Sequence, residues 1–165
     1  MPLQQRKLPR KDDFCYSARE TYFLTICAKD KKRIFGRIVS GENFKPPVIE
    51  LSHIGKIVEK HILSISKIEG VQLEKYVIMP DHIHLLIFVN SEIDDNVHVE
   101  PVPTDIIPRV VASVKRFSNR DAGENLFQKS YYDHIIRNQK DYDKHWEYIE
   151  NNPGTWLDKH GIKND

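Results

Sequence analysis

At 165 residues, with charges balanced to a formal net +1, the chain is long enough for one domain with a real core and too evenly charged to be a polybasic coat. Any contact with nucleic acid must therefore come from a local basic patch. Two irregularly placed cysteines, Cys15 and Cys27, exclude a disulfide framework and a four-thiolate zinc site. The N-terminus is basic and polar, and no apolar run is long enough to span a bilayer, so a soluble cytoplasmic protein without a membrane partner is expected.

In chain order, residues 1–19 read as an extended polar arm carrying Arg6, Lys7, Arg10 and Lys11. The β-branched and aromatic run from Thr21 to Ala28 predicts a first strand. A hairpin-like excursion through Gly41-Glu42 and Pro46-Pro47 follows. Ser52 stands where an N-cap would, ahead of Ile54, Ile57, Val58, His61, Ile62 and Ile65 at amphipathic helical spacing. Two strands are predicted next, Gln72–Met79 and Ile83–Val89, joined by a Pro80-Asp81 turn. The acidic, proline-bearing stretch 91–104 reads as a mobile loop. A second helix is predicted from about Thr104 to Ser118, and an aromatic strand from Leu126 to Ile136. A last helix should run from Gln139 to Asn152, ended by Pro153-Gly154. The order is the split βαβ pattern of a ferredoxin-like α+β fold: an antiparallel sheet with helices on one face and an additional C-terminal helix. Residues 1–165 are read as one domain.

Chemistry concentrates in two segments. Within Val77-Ile78-Met79-Pro80-Asp81-His82-Ile83-His84-Leu85-Leu86-Ile87, the two histidines are separated by one aliphatic residue. Side chains alternate along a strand, so both imidazoles face one way with Cβ atoms about 7 Å apart, a spacing that can share a metal ion. If Ile83, Leu85 and Ile87 face the helices, the pair faces the opposite side of the sheet, which the last helix can roof. On that helix Tyr148 and Asn152 are four residues apart and share a face with His145. An amide oxygen from Asn152 can complete a site begun by His82 and His84. Such a mixed N/O set suits Mg²⁺ or Mn²⁺, and zinc less specifically. Tyr148 then stands where a nucleophile would. A phenol ordinarily ionises near about pH 10, so it needs an electrostatically prepared phosphate to attack.

These segments, with Asp13-Phe14-Cys15-Tyr16-Ser17, Tyr22 to Cys27, Ile34-Phe35-Gly36, Ile54 to Val58, Phe127 to Arg137 and Tyr148-Ile149-Glu150-Asn151-Asn152-Pro153, carry a resemblance across nearly the whole chain. In this order and spacing they resemble the single-tyrosine HUH transposases, closest to the REP-associated tyrosine transposase branch. The resemblance implies that His82, His84 and Asn152 are metal ligands. It implies that Tyr148 takes the 5′ phosphate of cleaved single-stranded DNA, leaving a free 3′-OH, and that a DNA hairpin near the cut is recognised. It implies strand rejoining without a high-energy cofactor, by either a homodimer with shared sites or a monomer. The chain departs from the pattern at Gly154-Thr155-Trp156-Leu157, where relatives often carry a basic residue.

Around that core, Lys115, Arg116 and Arg120, with Arg109 upstream, form a basic cluster on the second helix, and Lys129 and Arg137 add charge near the aromatic strand. Basic groups beside aromatics are what single-stranded DNA binding requires. Tyr131 and Tyr132 compete for the nucleophile's role but read as structural, one facing the core and one the surface. His145 reads as a solvated helix residue and His134 as a weak candidate to support the site. Two other readings compete: a non-catalytic DNA-hairpin-binding module of the same fold, and a small-molecule phosphoesterase. The latter usually needs a further His or acid on the strand, where Leu86 and Phe88 stand.

Overall fold

The computed structural model describes residues 19–40, 46–90 and 106–160. The polar arm, with Cys15, and the acidic loop lie outside the described residues, apart from Arg19 at the start of the first strand. The elements are β1 (Arg19–Cys27), β2 (Gly36–Val39), β3 (Val48–Leu51), α1 (His53–Leu63), β4 (Val71–Ile78), β5 (His82–Asn90), α2 (Ile106–Ala122), β6 (Tyr132–Ile135) and α3 (Gln139–His160). Four strands form an antiparallel sheet in the order β4-β5-β1-β6, and β2 and β3 pair as a separate ribbon. Setting that ribbon aside, the connectivity is ferredoxin-like.

Both faces of the sheet are covered. Leu24, Ile26, Ile83, Leu85, Ile87 and Val89 pack under Val58 and Ile62 of α1 and Val110 and Val114 of α2. On the other face Val77, Met79 and Leu86 pack against Ile149, with Phe23, Trp146 and Trp156 at the margin. Strand alternation thus sorts β5 as its sequence requires: aliphatic odd positions toward α1 and α2, and His82, His84 and Leu86 toward α3.

Local chemistry sets the joints. Ser52 caps α1 as expected: its Oγ accepts from Gly55 N at 3.0 Å and donates to Ile34 O at 2.6 Å. Gly55 is needed there because an added Cβ would lie 2.0 Å from the backbone oxygen of Phe35. Backbone cannot yield as a flexible side chain can. Gly55→Ala is expected to destabilise the fold by about 3 kcal/mol, read as a lower midpoint in denaturant unfolding with an unchanged slope.

Two elements differ from their sequence-based expectation. The aromatic strand is shortened to Tyr132–Ile135, with only a bridge at Phe127 upstream. In between, Lys115 Nζ donates to the carbonyls of Gln128 (2.7 Å), Lys129 (3.2 Å) and Ser130 (3.5 Å), while Gln128 N still donates to Cys27 O at 3.0 Å. The last helix does not end at Pro153-Gly154 but continues to His160. A proline in a helix interior ordinarily costs about 3 kcal/mol. Here Pro153 is buried, and Trp156 beyond it packs on the Val77, Met79 and Leu86 cluster with Arg33 5.2 Å above its ring. Packing on both sides of the proline holds the last turns helical.

Candidate catalytic and metal-binding site

His82 is delivered by the tight turn that joins β4 to β5. Met79 N donates to His82 O at 2.7 Å, and the turn's two carbonyls are held from outside, Asp81 O by Ala28 N (2.8 Å) and Pro80 O by Phe35 N (3.1 Å). The pair therefore starts from a fixed backbone. The two imidazole centroids are 4.7 Å apart at 71°. Nδ1 of His82 lies 2.5 Å from Asp81 Oδ1, and Nδ1 of His84 lies 2.9 Å from Thr25 Oγ1 on the neighbouring strand. With the hydrogens on Nδ1, both rings keep Nε2 as the lone-pair nitrogen, the arrangement by which outer hydrogen bonds orient metal-binding histidines.

His84 Nε2 is buried and has no hydrogen-bond partner. Such an atom ordinarily costs about 1–3 kcal/mol unless something binds it. Burial, followed by the neighbouring His82, holds the His84 imidazole well below the usual 6.5 despite a backbone hydrogen bond at Leu24. The ring is therefore neutral around pH 7 and its Nε2 is an orphaned, aimed lone pair. The donor set fits a divalent cation.

Along α3, His145, Ile149 and Asn152 are buried against the sheet, while Tyr148 stays 49% exposed. The tyrosine ring nevertheless meets one histidine of the pair, 5.2 Å from His84 at 64°, and lies 6.0 Å from Phe23 at 74°. The residue is thus half accessible from solvent while its ring meets a candidate ligand in the same chain. Asn152 follows one turn later, 7% exposed. The structure thus brings His82, His84 and Tyr148 together, with Asn152 on the same helix stripe.

Other candidates fall elsewhere. Tyr131 packs partly against the main core and Tyr132 is 46% exposed, the expected split. Tyr132 shares the cross-strand row Val77–His84–Thr25–Tyr132, but two strands from His84, about 10 Å away. Arg116 and Arg120 lie on α2, the helical layer on the opposite side of the sheet from the histidines; Arg120 pairs with Asp121 at 3.1 Å and sits 4.9 Å from the Phe117 ring centroid. Lys115, half-buried, holds the carbonyls described above. Lys129 and Arg137 flank β6, an edge strand of the four-stranded sheet.

Sequence reasoning missed one cluster. His145 is buried rather than solvated, and burial holds its imidazole below 6.5 against the hydrogen bond and charge of Asp141. His134 Nε2 lies 2.8 Å from Asp141 Oδ2, and His145 Nδ1 lies 3.1 Å from Asp141 Oδ1. The Asp141-to-His145 spacing of four residues was the available signal; the contribution of β6 was not visible in it. For His84 and His145, a folded pKa below the unfolded 6.5 means that the unfolded chain binds protons first as pH falls. Stability is thus present above 6.5 and lost below it. Thermal midpoints are expected to drop between pH 7.5 and 5.5, with a shallower drop in His84→Gln.

The chain is thus an α+β domain with a ferredoxin-like sheet and a histidine pair facing a tyrosine-bearing terminal helix. The family comparison makes it specific: the chain belongs to the IS200-like transposase family, whose model matches residues 20–152. It is 28% identical over 170 residues to an uncharacterized protein of Haemophilus influenzae, covering 93% of this chain and 91% of that one. It is 30% identical over 92 residues to the REP-associated tyrosine transposase of Escherichia coli K12, covering 56% of this chain and 50% of that protein. A structure of a REP-associated tyrosine transposase bound to a REP hairpin shares the fold, with a TM-score of 0.60 at 18% identity over 96% of this chain and 76% of that one. Family membership supports a transposase activity and a part in DNA transposition. Among the described residues, no helix is long and apolar enough to cross a membrane.

Proposed function

We propose that this chain cuts one DNA strand and transfers it through a covalent tyrosine intermediate. The observation that carries the reading is the half-exposed Tyr148 ring lying against the buried His84 within one chain. The Tyr148 phenol gives up its proton to solvent and its oxygen attacks a backbone phosphate; the new bond to phosphorus forms as the bond to the 3′ oxygen breaks, and the 3′ oxygen takes up a proton from solvent. The products are a 5′-phosphotyrosine and a free 3′-OH; the reverse step, from a different 3′-OH, joins strands. His82, His84 and Asn152 would hold a Mg²⁺ or Mn²⁺ ion. When bound, the ion neutralises phosphate charge as the bond changes occur. Asp81 and Thr25 keep the imidazoles oriented, and Phe23 packs against the Tyr148 ring edge-to-face.

The substrate is single-stranded DNA bearing a hairpin, a reading supported by the REP hairpin bound to the structural relative. Lys129 and Arg137, at either end of edge strand β6, are the natural backbone contacts. Arg116 and Arg120 contribute where the nucleic acid wraps around that edge toward α2, and the contact of Tyr148 with its own chain's His84 supports action in cis. A cytoplasmic location is part of this reading. The test is incubation with hairpin-bearing single-stranded DNA and Mg²⁺ or Mn²⁺, read as a denaturant-resistant protein–DNA adduct. Salt-sensitive hairpin binding without an adduct under either metal would identify a non-catalytic binding module instead.

A further inference from the structure

The His134, Asp141 and His145 cluster has no part in the strand-transfer chemistry proposed above. One ligand atom from each of the three lies within 4.8 Å of the others. Two imidazoles and a carboxylate form a borderline donor set that favours Zn²⁺ and similar transition ions over Mg²⁺, which prefers oxygen ligands. Around an ion with tetrahedral bonds of about 2.1 Å, neighbouring ligand atoms lie about 3.4 Å apart. Asp141 already spans both rings at 2.8 and 3.1 Å. His145 is the buried member, while His134 and Asp141 keep 27% and 18% of their side chains exposed, leaving room for a water ligand. Outer contacts are in place as well: Arg137 N donates to Asp141 Oδ2 at 3.1 Å, and Asn138 caps the first turn through Asp141 N at 2.8 Å.

We infer that His134, Asp141 and His145 form a second metal site, for Zn²⁺ or a like transition ion, separate from the His82 and His84 pair. Phe23 stands between the two, its ring centroid 5.1 Å from His84 and 4.7 Å from His145. Binding at Nε2 uses the His134 tautomer with its hydrogen on Nδ1, so the ion takes the place of the hydrogen bond between Nε2 and Asp141 Oδ2. The site ties edge strand β6 to the first turns of α3. Asp141, His145, Tyr148 and Asn152 follow one another at four, three and four residues along one stripe, so an ion at its start sets the helix that presents the tyrosine.

The test uses the chelator-treated full chain and Zn²⁺ alone, with stoichiometry from calorimetric titration and thermal melts in parallel. His82→Ala/His84→Ala is expected to retain one equivalent and a Zn²⁺-dependent rise in Tm, both lost when His134→Ala is added. Should the double variant fail to fold, Asp141→Asn in the otherwise native chain takes its place and is expected to bind one equivalent fewer than the native chain. A double variant that binds no Zn²⁺, or binding that survives His134→Ala, overturns the inference; so does an unchanged stoichiometry in Asp141→Asn. None of these readouts depends on DNA cleavage, so a failure of the strand-transfer reading is separately visible.

Discussion

Tyr148→Phe is expected to abolish the covalent adduct with hairpin-bearing single-stranded DNA, a fall of about 10³-fold or more in cleavage, while DNA binding persists. Removing the nucleophile from an enzyme that works through a covalent intermediate leaves only what binding and electrostatics contribute. The substitution removes a single hydroxyl from a half-exposed ring and keeps the faces that meet His84 and Phe23, so folding should change by less than about 0.5 kcal/mol. Loss of activity with an unchanged melt thus separates a chemical role from a packing one. The competing tyrosines supply the control. An adduct that survives Tyr148→Phe and disappears with Tyr131→Phe or Tyr132→Phe would reassign the nucleophile, moving it across the sheet to β6.

His82→Ala and His84→Ala are expected to lower metal-dependent cleavage by a comparable factor, about 10³, with a matching loss of Mn²⁺ affinity. Their stability effects should differ. His84 is buried between Phe23, Tyr148 and His82, so its truncation opens a cavity, partly offset by removal of the unpartnered Nε2. His82 sits at the rim, 20% of its side chain exposed, and should cost less. Asp81→Asn, which weakens the hydrogen bond that aims His82, should cost about 10–100-fold in metal affinity without touching Tyr148. Mixing Tyr148→Phe with His84→Ala distinguishes cis from trans. With tyrosine and histidines meeting in one chain, the mixture should remain inactive; restored adduct formation would require a site shared between two copies.

Much of this site was legible before the fold was known because its two halves each lie on one regular element. A period of two places His82 and His84 on one face of β5, and a spacing of four places Tyr148 and Asn152 on one face of α3. The alternation of Ile83, Leu85 and Ile87 with the histidines also indicates which face is turned to α1 and α2. Less visible were the features that depend on contacts between elements. His145 has the spacing of a solvated helix residue, yet Phe23 and His134 close over it. Lys115 looks like one cation of a DNA-binding row, yet its ammonium meets three carbonyls of the segment leading to β6. Pro153-Gly154 carries a strong stop signal, yet the burial of Pro153 and the packing of Trp156 outweigh it.

The sequence by itself determined the order of elements, the ferredoxin-like class, the shared orientation of the histidine pair and the helix stripe that bears Tyr148. These follow from local periodicity, which a linear chain states directly. Only the tertiary structure decided that Tyr148 comes to rest on His84 of its own chain, that Lys115 meets the carbonyls leading to β6, that α3 passes through a proline, and that His134 joins Asp141 and His145. Each of those outcomes balances a local preference against packing with residues distant in sequence. That balance is struck only when the sheet and its covering helices are assembled.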